Sequence, residues 1–162
     1  MTISVQEGDF DVGREIADLS SGCREIGAVA SFVGLVRNAG ATAKEINGLQ
    51  SANHSAQITA MTLEHYPGMT ENALANIVAQ AKARWDLNNI RVIHRIGRLL
   101  PGERIVFVGV ASAHRGDAFA ACEFVMDYLK TQAPFWKKEE TATGGRWVDA
   151  RETDDTAAAR WR

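Results

Sequence analysis

The sequence predicts an α+β fold in which a largely antiparallel sheet carries helices on one face. Strand-like segments follow one another along the chain, a Pro-Gly turn signal separates two of them, and segments with helical apolar spacing lie between the strand pairs. Strands that are neighbours in sequence can pair through short turns, whereas a doubly wound parallel sheet needs a helix after nearly every strand. We expect one domain over residues 1–162, because the sequence has no internal repeat and no linker-like segment.

The composition is that of an ordinary globular chain. Its 162 residues include 18 Lys and Arg against 20 Asp and Glu, which gives a formal charge of −2, and 46% of them are hydrophobic. This length is enough to bury a sizeable core. A near-neutral chain argues against wholesale binding of nucleic acid, which favours a strongly basic surface. Because no segment has the apolar length of a membrane span or the pattern of a secretory leader, we expect a cytoplasmic protein with no membrane partner.

The residues that usually hold metals or cofactors are sparse. Two cysteines, Cys23 and Cys122, are too few for a disulfide-rich scaffold or a four-cysteine zinc site. Cys122 lies in an apolar helical pattern, so we expect a small buried hydrophobe rather than a reactive thiol. No histidines show the spacing of a metal pair on a helix, and the motifs GxGxxG, GxxxxGK[ST], HExxH and GxSxG are absent. We therefore expect neither a metal nor a cofactor.

The first third of the chain predicts two strands, a short helix and a long loop. Residues 2–6 alternate weakly and are expected to form an edge strand, and Asp11 is placed to cap a short helix. Residues 27–37, GAVASFVGLVR, predict a buried strand that ends on a basic residue. Residues 38–56 are polar and without period, which indicates a long loop. This loop is either a lid over a pocket or a neutral surface insertion.

The middle of the chain predicts a strand and an amphipathic helix. Residues 57–66 alternate as a strand does, and Pro67-Gly68 stops them. Thr70 then has the position of a helix cap, and apolar residues follow at helical spacing until Trp85 closes the stripe.

The next two strands are expected to pair as a hairpin. They cover residues 90–100 and 104–113, and Pro101-Gly102 between them is a strong turn signal. A helix follows Arg115 and ends at Pro134, because the residue before a proline is pushed out of the α region.

Two further short strands and a tail complete the prediction. Residues 135–141 are expected to be extended, and Gly144-Gly145 marks a turn from which residues 146–148 return as a short strand. The tail, residues 152–162, is expected to be loose or a short helix.

Basic residues stand at the ends of several predicted elements. Arg37 ends one strand, and His114 and Arg115 lie between a strand and a helix start. Free amides and a positive dipole end make a helix N-terminus suited to a phosphate or carboxylate, so these residues are candidates for anion binding. The alternative is that they are solvated charges at strand ends.

Two lysine positions are candidates for proton transfer. Lys130 lies at the margin of the apolar helix face, one turn before the helix ends, and Pro134 could fold Lys137 back towards it. Two neighbouring ammonium groups disfavour double protonation, which would supply a general base or a nucleophilic amine. The alternatives are a lysine that snorkels along the helix end and a solvated basic pair beside two glutamates.

Several strings together resemble one known family. They are GAVASFVGLVRN, LEHYPGMTE, VIHRIGRLLPGERIVFVGVASAHR, FVMDYLKTQAPFWKKE and GRWVDARE, and they run in order over about residues 25–152. On these strings the chain resembles the catalytic large subunit of molybdopterin synthase. The resemblance implies an α/β-hammerhead fold with added antiparallel strands.

The resemblance also implies an activity and its partners. Such an enzyme converts cyclic pyranopterin monophosphate into the dithiolene of molybdopterin. The sulfur comes from a thiocarboxylate on the C-terminal Gly-Gly of a small ubiquitin-like sulfur-carrier subunit, whose tail enters a pocket of the large subunit. Two large subunits form a central dimer with one small subunit at each end, a heterotetramer.

Matching motifs carry the family's site residues onto this chain. Lys130 and Lys137 match the two essential lysines. The resemblance assigns six residues to substrate binding: Arg37, His114, Arg115, Lys138, Glu139 and Arg146. It assigns four residues to the wall of the pocket or tail channel: Phe32, Leu35, Val36 and Met126.

Two other functions remain possible at this point. One is a binding or scaffold subunit that has kept the partner groove and lost catalysis, and the other is a phosphate-binding domain of an unrelated pathway. The sequence leaves open the identity of the small partner, the order of the two sulfur transfers, and which lysine acts as acid or base or forms a covalent link.

Overall fold

A computed structural model describes residues 2–38, 57–148 and 152–161. Its strands form two four-stranded sheets. Sheet A contains, in spatial order, β1 (Ile3–Gln6), β4 (Asn89–Arg95), β6 (Arg104–Ser112) and β2 (Ala28–Leu35). Sheet B contains β5 (Gly97–Leu99), β3 (Ile58–His65), β7 (Phe135–Thr141) and β8 (Gly144–Val148). The helices are α1 (Val12–Ser20), α2 (Met69–Arg84), α3 (Arg115–Gln132) and α4 (Glu152–Ala159). Except for residue 38, the predicted long loop lies outside the described residues.

The prediction of an α+β fold with mostly antiparallel strands is confirmed. Within the described residues, every strand pair is antiparallel except β1 with β4. The two sheets are a difference from the prediction, which grouped the strands without dividing them. Period-two alternation shows which side chains share a face, but it does not show which sheet a strand joins.

The prediction of helices on one face of the sheet is wrong for sheet A, which forms the centre of the core because helices cover both of its faces. On one face, α3 packs its apolar side chains against β6 and α2 packs against α3 and β1, and Phe124 of α3 is fully buried there. On the other face, α1 and Phe10 cover Phe107, whose ring centroid lies 6.0 Å from that of Phe10. A strand buried on both faces needs a nearly continuous apolar sequence, which residues 105–111 provide.

The predicted hairpin is confirmed in its pairing and corrected in its length. Strands β4 and β6 pair antiparallel, with Ile93 opposite Phe107. The expected single strand over 90–100 is instead divided after Arg95, and Gly97 takes a positive φ of 83° at the break. Glycine adopts this backbone conformation without steric cost. The chain thereby passes from sheet A to sheet B, where β5 pairs with β3.

The two predicted helix caps have different outcomes. Asp11 is confirmed as the cap of α1, because its Oδ1 accepts a hydrogen bond of 3.0 Å from the backbone N–H of Arg14. Thr70 as the cap of α2 is wrong, because α2 begins at Met69 with Gly68 as the N-cap residue. The Glu71 carboxylate accepts a 2.7 Å hydrogen bond from the Gly68 N–H, which closes the first turn without Thr70.

The buried Thr70 hydroxyl instead fixes the connection that leads into β7. It accepts a hydrogen bond from the Tyr66 N–H and donates one to the Pro134 carbonyl, each at 3.2 Å. Pro134 follows α3 as predicted, and β7 begins at the next residue. This bond therefore holds the point at which the chain turns from α3 into sheet B.

The C-terminal tail is a helix that packs on α3. Trp161 lies edge-on to Trp85 and Phe124, and its indole N–H donates a 2.7 Å hydrogen bond to Asp127. Arg160 forms ion pairs with Glu123 and Asp127. Aromatic packing and charge pairing together place α4 beside the last turns of α3.

Candidate active site

The candidate site is a cleft of about 760 Å³ where the C-terminal end of α3 meets β2, β7 and α4. Seven of the twelve residues singled out from the sequence line it: Phe32, Leu35, Arg37, Met126, Lys130, Lys137 and Glu139. Three of the seven carry positive charge and three supply apolar wall. The fold therefore collects into one place residues that are up to 107 positions apart in the chain (139 − 32).

The two candidate catalytic lysines both line this cleft, and each has a carboxylate nearby. Lys130 lies in the last turn of α3, and its Nζ is 3.6 Å from Oδ1 of Asp154 on α4. The Lys137 Nζ lies 3.9 Å from Oε1 of Glu139, two residues further along β7. The two lysines thus line one cleft from either side of the turn at Pro134.

Glu139 is a buried carboxylate between two cations. Its side chain is 8% exposed, and Arg146 on the neighbouring strand β8 donates a 3.1 Å hydrogen bond to its Oε2. The register of β7 and β8 places Glu139 directly opposite Arg146. A buried carboxylate needs such partners, because an unpaired charge in a desolvated position is costly. Arg146 is thereby tied to the site through Glu139, although it does not line the cleft itself.

Strand alternation separates Lys138 from its neighbours. Successive side chains of a strand point to opposite faces, so Lys138 lies on the other face of β7 from Lys137 and Glu139. Its Nζ lies 5.8 Å from the ring centroid of Trp147, which is a cation–π contact. Lys138 is not among the residues that line the cleft.

Alternation also separates Val36 from the neighbouring wall residues. Leu35 and Arg37 line the cleft, whereas Val36 is only 2% exposed and packs with Met61, Leu63 and Leu99. Val36 thus supports the wall from behind, rather than forming its surface.

His114 and Arg115 lie at the other end of α3 from the cleft. His114 is the N-cap residue and Arg115 begins the helix, and both are exposed. Lys130 follows Arg115 by 15 residues, which corresponds to about 22 Å along a helix that rises about 1.5 Å per residue. Within one chain, these two residues and Lys130 do not share a site.

Among the lining residues that the sequence did not indicate, His94, Phe135 and Asp154 bear on the chemistry of the cleft. The imidazole of His94 stacks on the ring of Phe135 with a centroid distance of 3.7 Å. Burial lowers the pKa of His94 to about 4, with a smaller contribution from the nearby His65. His94 was visible only as part of a strand pattern, and Asp154 lay in a tail with no expected contact.

Cys122 is buried, as predicted. Burial raises the pKa of its thiol to about 11, so the thiol stays protonated at neutral pH and is a poor nucleophile. Among the described residues, no His, Cys, Asp and Glu side chains are grouped in a way that could hold a metal ion. None of the described helices is long and apolar enough to span a membrane.

The fold and the cleft define a class: an α+β protein with a cationic, partly apolar cleft suited to an anionic small molecule. The comparison with protein families then gives a specific result. The profile of the family described as MoaE protein matches residues 5–132. The chain belongs to the MoaE family.

Individual relatives agree with this assignment. The chain is 60% identical over 160 residues to the molybdopterin synthase catalytic subunit of Ralstonia nicotianae, covering 99% of this chain and 84% of that protein. It is similar to the solved structure of a molybdopterin biosynthesis MoaE protein from Burkholderia ambifaria, with a TM-score of 0.78, 53% identity and coverage of 99% and 97%. A complex of subunits 1 and 2 of molybdopterin-converting factor from Helicobacter pylori shares the fold at 18% identity, with a TM-score of 0.66 and coverage of 93% and 90%.

Proposed function

We propose that this chain is the catalytic subunit of a cytoplasmic molybdopterin synthase and acts as a sulfurtransferase. It moves sulfur from the C-terminal thiocarboxylate of a small ubiquitin-like subunit to cyclic pyranopterin monophosphate, which yields the dithiolene of molybdopterin. The observation that carries the proposal is that Lys130, Lys137 and Arg37 share one cleft in a chain of the MoaE family.

The charge of the cleft suits both reactants. The phosphate of the substrate and the thiocarboxylate of the partner's tail are anionic, and three cationic side chains, which outnumber the two carboxylates of the cleft, attract and orient them. The apolar side chains of Phe32, Leu35 and Met126 offer surface for the pterin ring or for the Gly-Gly tail.

Lys130 is assigned the main acid–base role and Lys137 a supporting role. Replacing oxygen by sulfur on the pterin side chain requires protons to be delivered to the departing oxygen and removed from the incoming group. Lys130 stands at the end of a helix beside Asp154, where an exchange of protons with solvent is possible because its side chain is half-exposed. Lys137 is oriented by Glu139, which Arg146 holds in turn.

The same proposal includes an assembly. The Helicobacter pylori structure is described as a complex of two subunits, and we infer that this chain pairs with a small subunit that ends in Gly-Gly. We also infer a central dimer of two copies of this chain. In that assembly His114 and Arg115 serve substrate binding only if the second copy brings them to the cleft, since about 22 Å of α3 separates them from Lys130 in one chain.

An assay with purified components tests the function. The chain is mixed with the thiocarboxylated small subunit and cyclic pyranopterin monophosphate, and the dithiolene product is identified by its mass. The same mixture with the ordinary carboxylated small subunit is the control, because it contains no transferable sulfur. Product in the first mixture alone is expected. Its absence would favour a scaffold subunit or an unrelated phosphate-binding domain.

The neighbouring lysines of β7 test the assignment of site residues. Because Lys137 faces the cleft and Lys138 faces Trp147, Lys137→Ala should reduce turnover more than Lys138→Ala. Equal losses in the two variants would show that the face of the strand does not decide which lysine acts. Thermal unfolding of both variants checks that the fold is unchanged.

A further inference from the structure

We propose that His94 binds the ligand of the cleft through its Nε2 atom, which accepts a hydrogen bond from an N–H or O–H group of the pterin. This inference rests on the proposed function and adds a specificity-determining residue to its site. It assigns the recognition of the neutral, donor-bearing part of the substrate to a residue that is distinct from the cations.

The imidazole of His94 is held by its stack on Phe135 and by a hydrogen bond of its Nδ1 atom. His94 lies near the end of β4, is 6% exposed and lines the same cleft as Lys130 and Lys137. Its ring is nearly parallel to that of Phe135, with an interplanar angle of 16°. Phe135 is the first residue of β7, and Lys137 follows two positions later. The imidazole is therefore held in one orientation at the place where sheet A meets the lysine-bearing strand.

The hydrogen bond of the other ring nitrogen fixes the tautomer. Nδ1 of His94 lies 2.8 Å from the backbone carbonyl oxygen of Arg95. A carbonyl oxygen can only accept, so Nδ1 carries the proton and donates it, and in the neutral ring Nε2 keeps a free lone pair. Nε2 makes no hydrogen bond within the described part of the chain. Since that part holds no fully buried side-chain nitrogen or oxygen without a partner, Nε2 keeps some accessible surface, and His94 is one of the residues that line the cleft.

The charge state distinguishes Nε2 from the two carboxylates that line the cleft, Glu139 and Asp154, which also accept hydrogen bonds but are engaged in ion pairs. Burial, together with the nearby His65, lowers the pKa of His94 to about 4, so the ring is neutral at pH 7. Arg37, Lys130 and Lys137 can only donate hydrogen bonds when charged. A neutral acceptor beside three cations suits a ligand that has both an anionic group and N–H or O–H donors. A phosphorylated pterin is such a ligand.

Two variants separate hydrogen bonding from packing. His94→Phe keeps a flat ring that can stack on Phe135 and removes the acceptor. His94→Gln removes the ring and places an amide oxygen near the position of Nε2. The measurement is the dissociation constant of cyclic pyranopterin monophosphate for the complex with the carboxylated small subunit, obtained by isothermal titration calorimetry. Without transferable sulfur, this complex binds the substrate and does not consume it.

The expected result is a loss of affinity that depends on the acceptor. His94→Phe should weaken binding about 10-fold, the range expected for one lost hydrogen bond that leaves a donor unpaired. His94→Gln should return the affinity to within about threefold of the unaltered complex. Inorganic phosphate, measured in the same way, should bind equally well to all three proteins, because only the cations hold it.

Three results would overturn the inference. The first is an unaltered affinity for cyclic pyranopterin monophosphate in His94→Phe. The second is an equal loss in both variants, and the third is a parallel loss of phosphate binding; either would indicate that His94 only supports the fold. If the unaltered complex does not bind cyclic pyranopterin monophosphate at all, the proposed function fails and the inference fails with it.

Discussion

The two sheets of this protein have different burial and different chemistry. In sheet A, strand β6 is buried from Val106 to Ser112, and helices cover both faces. In sheet B, strand β7 alternates between residues that face the cleft, such as Lys137, and residues on the other face, such as Trp136 and Lys138. The comparison teaches that sheet A supplies most of the buried core and part of the cleft wall, while sheet B and the end of α3 supply the two lysines of the cleft. Substitutions in the two regions should therefore have separable effects.

The largest effect on stability is expected at the centre of sheet A. Phe107 is fully buried, so Phe107→Ala should lower the free energy of unfolding by about 3–5 kcal/mol, through lost burial and the cavity that remains. Urea unfolding of the variant and of the unaltered protein measures this loss of free energy. The control is Trp136→Ala in sheet B, which removes a larger side chain that is 48% exposed and should cost less than about 1 kcal/mol. Similar losses in both variants would contradict the division between the sheets.

His94 links the two sheets and should make stability depend on pH. Its pKa is about 4 in the folded protein, against an ordinary value of 6.5. Between these values the unfolded chain binds a proton that the folded chain does not, so stability is lost as the pH falls through this window. The loss should approach about 1.4 kcal/mol per pH unit and reach about 3 kcal/mol in total.

Unfolding of the unaltered chain and of His94→Phe at several pH values tests this prediction. The difference in free energy of unfolding between the two proteins should be independent of pH above pH 6.5 and should change between pH 6.5 and 4. Asp9, whose pKa is lowered to about 2 mainly by a hydrogen bond from Arg104, acts at lower pH and is unchanged in both proteins. A pH-independent difference would show that the buried imidazole does not titrate as described.

A smaller effect is expected from overfilling sheet A at Gly109 of β6. A Cβ atom there would lie 2.4 Å from Cδ1 of Leu19, so Gly109→Ala should cost about 1–3 kcal/mol. Gly116, near the start of α3, is the matched control, since its added methyl group would meet nothing within 4 Å. Gly116→Ala should be neutral or stabilising by up to about 1 kcal/mol, because alanine favours a helix. Thermal unfolding compares the stabilities of the two variants. A Gly109→Ala variant as stable as the unaltered protein would show that Leu19 and α1 can move away from β6.

The sequence predicted secondary structure well where apolar residues keep one spacing, helical or alternating, over many positions. Helix α3 was predicted from its apolar face, and Ala118, Cys122 and Val125 of that face are buried. The strand pairing of β4 with β6 followed from a turn signal between two apolar runs. Contacts between residues distant in the chain were not predictable in this way. The burial of Glu139 is compensated by Arg146 and Lys137, and His94 stacks on Phe135, which lies 41 positions further along the chain (135 − 94).

The family motifs contributed what periodicity could not. They identified seven residues that do line one cleft, including Lys130 and Lys137. They could not show that Lys138 lies on the opposite face of β7 or that His114 stands at the far end of α3, because a motif records residue identity without position. Asp154 was missed because a short polar tail gives no signal of docking until Trp161 and its partners on α3 are seen.

The most direct test of the account is sulfur transfer by Lys130→Ala in the complete complex. The matched control is Lys82→Ala, which removes an exposed lysine from the last turn of α2, away from the cleft. Lys130→Ala should reduce the single-turnover rate of dithiolene formation by about 100-fold or more, the range for a lost general acid–base group. Its unfolding free energy should change by less than about 1 kcal/mol, because its ion pair with the Asp154 carboxylate is partly exposed. Lys82→Ala should keep the full rate. A near wild-type rate in Lys130→Ala would contradict the account.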